Sequence, residues 1–290
     1  MNLEDVARKC KQSFPFYAKN ILKIVSKEGE SLPFKLNPAQ IYVHEKLEKQ
    51  LKEQGNIRAL ILKARQTGIS TYAQGRNFWK VTQTRNANAF VLSHLAESTT
   101  AIFNMVRYFY ENIPHPAFKP DLQSSSSSML VFDKINSRYR VGTARSTQTG
   151  RGQTNRFIHG SEVAYYPAGS DIVAGLLQTV GGSGSEVILE STANGVGGWF
   201  YDQVMKSQRG ETEWITCFVP WFIMSEYQKK PSRYFEITPE EYRLKEKYKL
   251  TDAQICFRRA KLDELGGTDL FDQEYPSTVH HAFLASGRCF

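Results

Sequence analysis

The sequence contains no long hydrophobic run. No apolar stretch reaches the roughly eighteen residues that suggest a membrane-spanning helix. The N-terminal segment MNLEDVARKCKQSFPFYAKN is amphipathic and lacks the apolar core of a signal peptide. Cysteines are few, and the four lie far apart without metal-ligand spacing: Cys10, Cys217, Cys256 and Cys289. We therefore expect an intracellular protein with reduced cysteines and no zinc site.

The composition fits a folded, moderately basic protein. Hydrophobic residues make up 41% of the 290 residues, enough for a substantial core in one large domain or two smaller ones. The net charge of +8 favours a polyanionic partner, with a solvated basic surface as the alternative interpretation.

The N-terminal part of the chain shows two helical patterns. Apolar residues recur at helical spacing over residues 4–27, interrupted at Pro15. A second helix is predicted with Asn37 as its N-cap, Pro38 in its first turn and Gly55 at its end.

The next segment alternates strands and helices. The apolar runs 57–63 and 87–93 predict buried strands, and helices are expected over 70–81 and 96–113. This order predicts an α/β protein with a mostly parallel sheet flanked by helices on both faces.

A hairpin then interrupts the alternation. The segments 129–132 and 138–142 predict two strands joined at DKINS, and the serine run 124–128 before them is interpreted as a turn. Three further strands are expected, in TNRFIHGSE, SEVILEST and TEWITCFVPW, with a helix in GGWFYDQVMKSQRG.

The character of the chain changes at about Ser225. TPEEYRLKEKYKL and TDAQICFRRAKLDELGG each begin with a threonine N-cap and predict charged helices without a buried strand. We therefore predict a sheet domain over residues 1–224 and a small helical linker subdomain over 225–290.

The segment KARQTGIS is similar to a phosphate-binding loop that lacks its lysine. Against the pattern G-x-x-x-x-G-K-[ST], Gly68 and Ser70 match, but Ile69 occupies the lysine position and Lys63 the first glycine position. The context fits, since a buried strand precedes the loop and a helix follows it. Such a loop binds phosphate through backbone N–H groups and the helix dipole.

The missing cation could come from elsewhere in the loop. Lys63, at the strand end, can reach a phosphate from the other side, because an ammonium group needs no fixed geometry. Arg65 offers a second cation, and Ser70 is the expected magnesium ligand with Thr71 beside it. The alternative is an ordinary basic turn after a strand.

Two other strand ends carry polar residues. Ser161–Glu162 follows one strand, which makes Glu162 a candidate general base; a surface glutamate is the alternative. Ser191, Thr192 and Asn194 follow another strand. In a parallel sheet the carboxyl ends of the strands form the ligand crevice, so all three loops should open onto it.

Together these motifs resemble the ATPase domain of the large terminase subunit of tailed phages, the motor that packages DNA. KARQTGIST resembles the family's deviant Walker A, in which the lysine stands at the start of the loop, and HGSEVAYY its Ser–Glu Walker B. ESTANG resembles the coupling motif, NPAQ the adenine-binding segment and TGRGQT the arginine loop. QEYPSTVHHAFLASGRCF resembles the segment that leads into a nuclease, an activity not expected from this chain.

The resemblance implies a P-loop NTPase fold of the ASCE type, with ATP and Mg²⁺ as cofactors and site residues in four groups. Nucleotide contacts are expected from Gln40, Lys63, Ala64, Arg65, Gln66, Thr67, Gly68, Ile69, Ser70 and Thr71. Catalytic roles are expected for Glu162, Arg151 and Arg65, with Arg151 acting on the nucleotide of a neighbouring subunit. The metal site would use Ser70, Ser161, Glu162 and Glu190, and coupling would use Ser191, Thr192, Ala193 and Asn194.

Many ATPases have an aspartate at the position of Ser161. The Ser161 hydroxyl brings no charge to a magnesium site, and Glu190 at the neighbouring strand end is the candidate to replace the missing carboxylate. The alternative for Glu190 is a buried glutamate paired with a loop arginine.

The implied partners are double-stranded DNA, a portal protein on which the chain forms a ring, and a small terminase subunit, with no membrane, in the cytoplasm of the infected bacterial host. A helicase-like ATPase on single strands and a non-catalytic DNA-binding module are the alternatives. Candidate DNA contacts are Arg138, Arg140, Lys229, Lys230 and Arg233, each of which could also be a solvated charge.

Overall fold

The structure, a computed structural model, describes residues 2–145 and 153–286. The strands lie, in chain order, at β1 Lys23–Val25, β2 Ser31–Pro33, β3 Ile57–Lys63, β4 Asn88–Ser93, β5 Ser124–Ser125, β6 Met129–Phe132, β7 Ser137–Thr143, β8 Phe157–Ser161, β9 Glu186–Ser191 and β10 Ile215–Val219.

The α-helices lie at α1 Leu3–Gln12, α2 Phe14–Ile21, α3 Pro38–Gln54, α4 Ile69–Gln83, α5 Ala96–Glu111, α6 Gly169–Leu177, α7 Gly198–Gln208, α8 Pro239–Tyr248, α9 Asp252–Leu265, α10 Thr268–Glu274 and α11 Val279–Ser286. Within the described ranges, no helix has the length and apolar character that crossing a membrane requires.

A central sheet of eight strands has the order β10-β3-β9-β8-β4-β7-β6-β5. The first six strands are parallel, and β6 and β5 continue the sheet in antiparallel orientation. The predicted mostly parallel sheet is therefore confirmed. The strand β9 lies between β3 and β8 although it follows both in the chain.

Helices cover both faces of this sheet because its strands alternate apolar side chains between two cores. Ile57, Ala59 and Ile61 of β3 belong to the core under α1–α5. Leu60 and Leu62 belong to the opposite core, under α6 and α7. The central strands β8 and β9 are buried throughout and β4 is buried from Ala89 onward, as parallel strands in such sheets are.

Local signals account for several element boundaries. In α3, the Asn37 side chain accepts from the backbone N–H of Gln40, and Gly55 ends the helix in the left-handed conformation. Thr238 and Thr251 cap α8 and α9 through reciprocal hydrogen bonds with Glu241 and Gln254.

Two expectations were wrong in detail. The helical pattern of residues 4–27 ends at Ile21, since the next residues pair with β2 as strand β1. Part of the serine run is also a strand, because Ser124 and Ser125 pair with Val131 and Leu130 at the sheet edge.

The C-terminal helices share a hydrophobic core with the sheet. Trp221 stacks on Phe257 of α9 at 5.6 Å between ring centroids, and Phe257 stacks on Tyr227 at 5.0 Å. Leu250, Ile255 and the Trp221 ring belong to the same core as β3. The division of the chain at residues 224/225 stays a prediction.

Candidate active site

The start of helix α3 holds the loop between β3 and α4. Gln40 Nε2 donates to the carbonyl of Gly68 at 2.7 Å, and Asn37 Nδ2 donates to that of Thr67 at 3.1 Å. Gly68 has φ +74°, and a Cβ there would lie 2.8 Å from Gln40 Nε2. Glycine is therefore favoured by this backbone conformation, and a Cβ would also displace the Gln40 amide. Gln40 supports the loop here, and its contact with adenine stays a prediction.

Lys63, the last residue of β3, lies between two carboxylates. Its Nζ is 2.8 Å from Glu162 Oε1 and 3.2 Å from Glu190 Oε2, and the residue is only 6% exposed. Burial by itself lowers the pKa of a lysine, but Glu190 and Glu162 raise the pKa of Lys63 above its ordinary value. The ammonium group is therefore fixed as a cation beneath the loop.

Glu190 at the end of β9 is completely buried and contacts the loop serine. Ser70 Oγ donates to Glu190 Oε1 at 2.7 Å. Burial favours the protonated acid, but Lys63, followed by His159 and Ser70, holds the pKa of Glu190 below its ordinary value. Glu190 is thus a buried carboxylate beside Ser70. Glu190 pairs with Lys63, whereas Arg65 of the loop pairs with Glu274.

Glu162 follows β8 in a left-handed conformation, with φ +57°. This conformation is uncommon for a non-glycine residue, and such residues concentrate at functional sites. Its Oε2 accepts from Ser191 Oγ and from the backbone N–H of Thr192, each at 3.2 Å. The segment predicted to couple hydrolysis to movement therefore contacts the candidate base directly.

The rest of that segment is joined to the turn after Glu162. Tyr165 OH donates to the carbonyl of Ala193 at 3.1 Å, and Asn194 Nδ2 donates to that of Ala164 at 3.0 Å. A displacement of one strand end would consequently be transmitted to the other.

A cleft of about 540 Å³ opens at the carboxyl ends of the strands. Its lining includes the predicted residues Arg65, Ser70, Ser161, Glu162 and Thr192, and also His94, Ser98, Ala101, Ile102, Tyr165 and Glu274. His94 directly follows β4, so the strand-end rule that singled out the other loops could have found it. No sequence signal indicated Glu274, which reaches the cleft from α10.

The C-terminal region contacts the loop through Arg65. The side chain of Arg65 is 63% exposed and pairs with Glu274 Oε2 at 2.8 Å. Its backbone N–H donates to the carbonyl of Glu274 at 2.9 Å, and Tyr227 OH donates to the Arg65 carbonyl. Lys63 is therefore the buried cation of this loop and Arg65 the exposed one.

The other residues of the loop contact neighbouring parts of the protein, and their contacts with nucleotide stay predictions. Ala64 donates its N–H to the carbonyl of Val219, Thr67 Oγ1 donates to the carbonyl of Ala64, and Ile69 begins α4 with its side chain in the core. Gln66 is exposed with φ +52°, and Thr71 is half-buried on α4.

The remaining predicted residues lie elsewhere or outside the described ranges. Lys229, Lys230 and Arg233 are exposed, whereas Arg138 and Arg140 lie half-buried on β7, inside the sheet. The guanidinium of Arg140 covers the Phe90 ring at 4.6 Å. Arg151 falls in the segment that the structure does not describe, so its role stays a prediction.

The oxygen atoms beside the loop fit a magnesium ion by their chemistry. Mg²⁺ prefers oxygen ligands and is usually held by few protein groups together with substrate phosphates. Ser70 and Ser161 offer hydroxyls, and Glu190 offers a charged carboxylate. Within the described residues, no cluster of three or more His, Cys, Asp or Glu side chains could hold a metal by itself.

The strand order and the loop together define a P-loop NTPase fold of the ASCE class, in which one strand separates the loop-bearing strand from the strand that ends in the acid. No protein-family model matches the chain, and no curated protein sequence matches it. Similarity is found among solved structures, where it establishes the fold.

The HK97 bacteriophage large terminase has a TM-score of 0.64 and 13% identity, over 92% of this chain and 54% of that one. The ATPase domain of the Thermus phage P74-26 large terminase has a TM-score of 0.51 and 16% identity, over 79% and 91%. A large terminase from a thermophilic bacteriophage, solved with ADP, has a TM-score of 0.53 and 9% identity, over 84% and 53%. This chain thus has the fold of phage large terminase ATPase domains, and it spans about half the length of the HK97 protein.

Proposed function

We propose that this chain hydrolyses ATP with magnesium and uses the free energy to move double-stranded DNA during viral DNA packaging. The observation that carries the proposal is a group of four joined side chains. Buried Lys63 and Glu190 contact Glu162 and Ser70, which line the cleft at the carboxyl ends of the strands. The terminase fold supports the packaging role, and the relative solved with ADP supports a nucleotide as the ligand.

The loop and its lysine would bind the phosphates of ATP. The N-terminus of α4 directs backbone N–H groups and its dipole toward the loop, which favours an anion there. Lys63 adds a full positive charge from the strand end. Its two carboxylate partners compete with the phosphates for that charge, so ATP binding and the freeing of Glu162 are linked.

Ser70 and Glu190 would hold the magnesium ion, with Ser161 beside them. The hydroxyl proton of Ser70 points to Glu190, which leaves the oxygen lone pairs of Ser70 available. When bound, the ion would supply positive charge that offsets the negative charge of the phosphates during hydrolysis. Glu190 supplies the carboxylate that Ser161 lacks.

Glu162 would accept the proton of the attacking water. Two hydrogen bonds from the Ser191–Thr192 segment fix one of its oxygens, and the other oxygen contacts Lys63. Departure of Lys63 toward a phosphate leaves that second oxygen available for water. Hydrolysis would then change the contacts of Ser191 and Thr192, which are continuous with the turn after Glu162.

An apolar cleft of about 380 Å³ beside the first turn of α4 is the candidate site for the base of ATP, and Gln40, the adenine contact expected from the sequence, does not line it. Its walls include Ile24, Val25, Met105 and Tyr108, and Thr71 of α4 joins it to the phosphate loop. Apolar and aromatic side chains with a few polar groups are typical of ligand pockets.

The partners follow from the packaging role. Double-stranded DNA is the proposed substrate of movement, a portal protein the proposed base for a ring of subunits, and a small terminase subunit a further partner, in the cytoplasm of the infected host. In such a ring, Arg151 of one subunit would act on the nucleotide of the next.

Steady-state phosphate release tests the proposal. We expect hydrolysis of ATP that requires magnesium, is lost in a chelator, and rises when duplex DNA is added. An equal amount of single-stranded DNA is the matched control. Stimulation by single strands alone would favour the helicase-like alternative. A protein that binds duplex DNA but neither binds nor hydrolyses ATP would establish the non-catalytic alternative.

A further inference from the structure

Three buried side chains form a polar chain behind the cleft that ends at Glu190. Tyr139 OH of β7 donates to Gln74 Oε1 of α4, and Gln74 Nε2 lies 2.6 Å from His159 Nδ1 of β8. His159 Nε2 lies 3.3 Å from Glu190 Oε1, slightly longer than a typical N–H···O hydrogen bond. Tyr139, Gln74 and His159 are all completely buried.

The chemistry of the groups determines which one donates and which one accepts in each hydrogen bond from Tyr139 to Glu190. Because the Tyr139 hydroxyl donates to the Gln74 oxygen, the Gln74 amide presents its N–H to His159. The Nδ1 atom of His159 must then accept, so a neutral imidazole carries its proton on Nε2. That N–H faces the Glu190 carboxylate. If Nε2 instead carried a lone pair, it would repel the Glu190 carboxylate, and the tautomer with the proton on Nε2 avoids this repulsion.

Glu190 is consequently held at both oxygens. Oε1 faces Ser70 and His159, while Oε2 faces Lys63. Lys63 belongs to the proposed phosphate machinery and would turn toward the phosphates once ATP is bound. His159 does not line the cleft, so its contact with the Glu190 carboxylate does not depend on that movement.

We propose that His159 is a positioning residue: a neutral imidazole, oriented by Gln74 and Tyr139, that holds the Glu190 carboxylate against Ser70 for magnesium. The inference rests on the proposed function, since Glu190 matters in this way only if the cleft binds a magnesium nucleotide. Groups that orient a metal ligand from behind typically contribute 10- to 100-fold to metal affinity, that is, roughly one to two orders of magnitude.

Two substitutions distinguish the hydrogen bond made by His159 Nδ1 from the one made by Nε2. In His159→Asn, the shorter amide ends near the former Nδ1, so a partner for Gln74 is kept and the donor to Glu190 is lost. In His159→Gln, the longer amide can place an N–H near the former Nε2, so the donor to Glu190 is kept. Both replace a buried polar ring with a smaller polar group.

The experiment measures binding of a fluorescent ATP analogue over a series of magnesium concentrations, with thermal unfolding of each variant alongside. In His159→Asn, we expect the magnesium concentration that gives half of the maximal increase in analogue binding to rise by roughly 10-fold or more. The affinity for the analogue measured in chelator should be unchanged. His159→Gln should restore most of the wild-type value. The control Ser137→Ala removes another buried hydrogen bond, to the carbonyl of Thr84 at 2.7 Å, and should lower thermal stability alone.

The outcomes distinguish the inference from the proposed function. A magnesium dependence of His159→Asn equal to that of the wild type overturns the inference. If both His159 variants lose the same amount of analogue binding, with and without magnesium, and unfold at correspondingly lower temperatures, His159 has a packing role. That result also overturns the inference. A wild-type protein that binds no nucleotide at any magnesium concentration overturns the proposed function itself.

Discussion

Lys63 and Glu162 form an ion pair of 2.8 Å although 99 positions separate them in the sequence. One is the candidate cation for the phosphates of ATP, and the other is the candidate base for the attacking water. Each therefore restrains the other, and Glu190 shares the same ammonium group. Because of this pairing, single substitutions at Lys63 and Glu162 should have different effects on ATP binding, hydrolysis and stability.

Lys63→Met should abolish ATP binding, because the bound phosphates lose their buried cation. It should also destabilise the protein by about 3–5 kcal/mol, since Glu190 is left as an unpaired buried charge. The double variant Lys63→Met/Glu190→Gln should recover much of this stability but not the binding. Nucleotide titration and urea unfolding measure the two effects separately.

Arg65→Ala is the matched control for the lysine, because its exposed side chain pairs with Glu274 at the surface of the cleft. We expect a smaller loss of binding than in Lys63→Met. If Lys63→Met binds ATP normally and Arg65→Ala does not, then Arg65 is the main cation for the phosphates.

Glu162→Gln should keep nucleotide binding and reduce hydrolysis by about 10²-fold or more, because the amide keeps the shape but cannot take a proton. Glu274→Gln removes another carboxylate of the same cleft and should have a smaller effect. Single-turnover hydrolysis after confirmed binding is the measurement. Wild-type turnover in Glu162→Gln would assign the base elsewhere, and Glu190 would be tested next.

His44 should make the protein less stable in weak acid. Burial, and then Arg76, lowers the pKa of His44 from 6.5 to about 4, against the opposing effects of Glu48 and Glu186. Below pH 6.5 the unfolded chain takes up a proton that the folded protein does not, so stability falls as the pH drops from 6.5 toward 4. The contribution is on the order of 2–3 kcal/mol by about pH 4.5.

His44→Asn checks this prediction, since it keeps a polar atom for the Tyr72 hydroxyl, which lies 3.0 Å from His44 Nδ1. The free energy of unfolding of the variant should decline less than that of the wild type between about pH 7 and about pH 4.5. Parallel declines of the two proteins would show that His44 does not control acid stability.

Duplex DNA should bind weakly, without sequence preference and with strong salt dependence, because phosphate contacts alone are proposed. Replacing Lys229, Lys230 and Arg233 together by alanine should weaken binding and reduce the salt slope by about one per lost contact. Replacing Lys11, Lys19 and Lys52, also exposed, is the charge-matched control. Equal losses in both triple variants would assign binding to net charge and not to the linker surface.

The sequence by itself predicted the strands and helices that have a strong local cause. Buried strands such as 57–63 show as apolar runs, and α3 is bounded by a cap residue and a glycine that act over a few residues. The mostly parallel sheet followed from the order of these elements. The edge strand at Ser124–Ser125 could not be predicted, since its only cause is pairing with β6.

In the candidate site, the sequence indicated each loop but not the contacts between loops. Lys63, Ser70 and Glu162 were recognisable because each stands at a strand end or a helix start, where a local pattern marks it. That Glu190 faces Ser70 depends on the placement of β9 between β3 and β8, which is set by packing of the whole sheet. The buried chain from Tyr139 to His159 likewise joins two strands and a helix, so only the tertiary structure could bring it together.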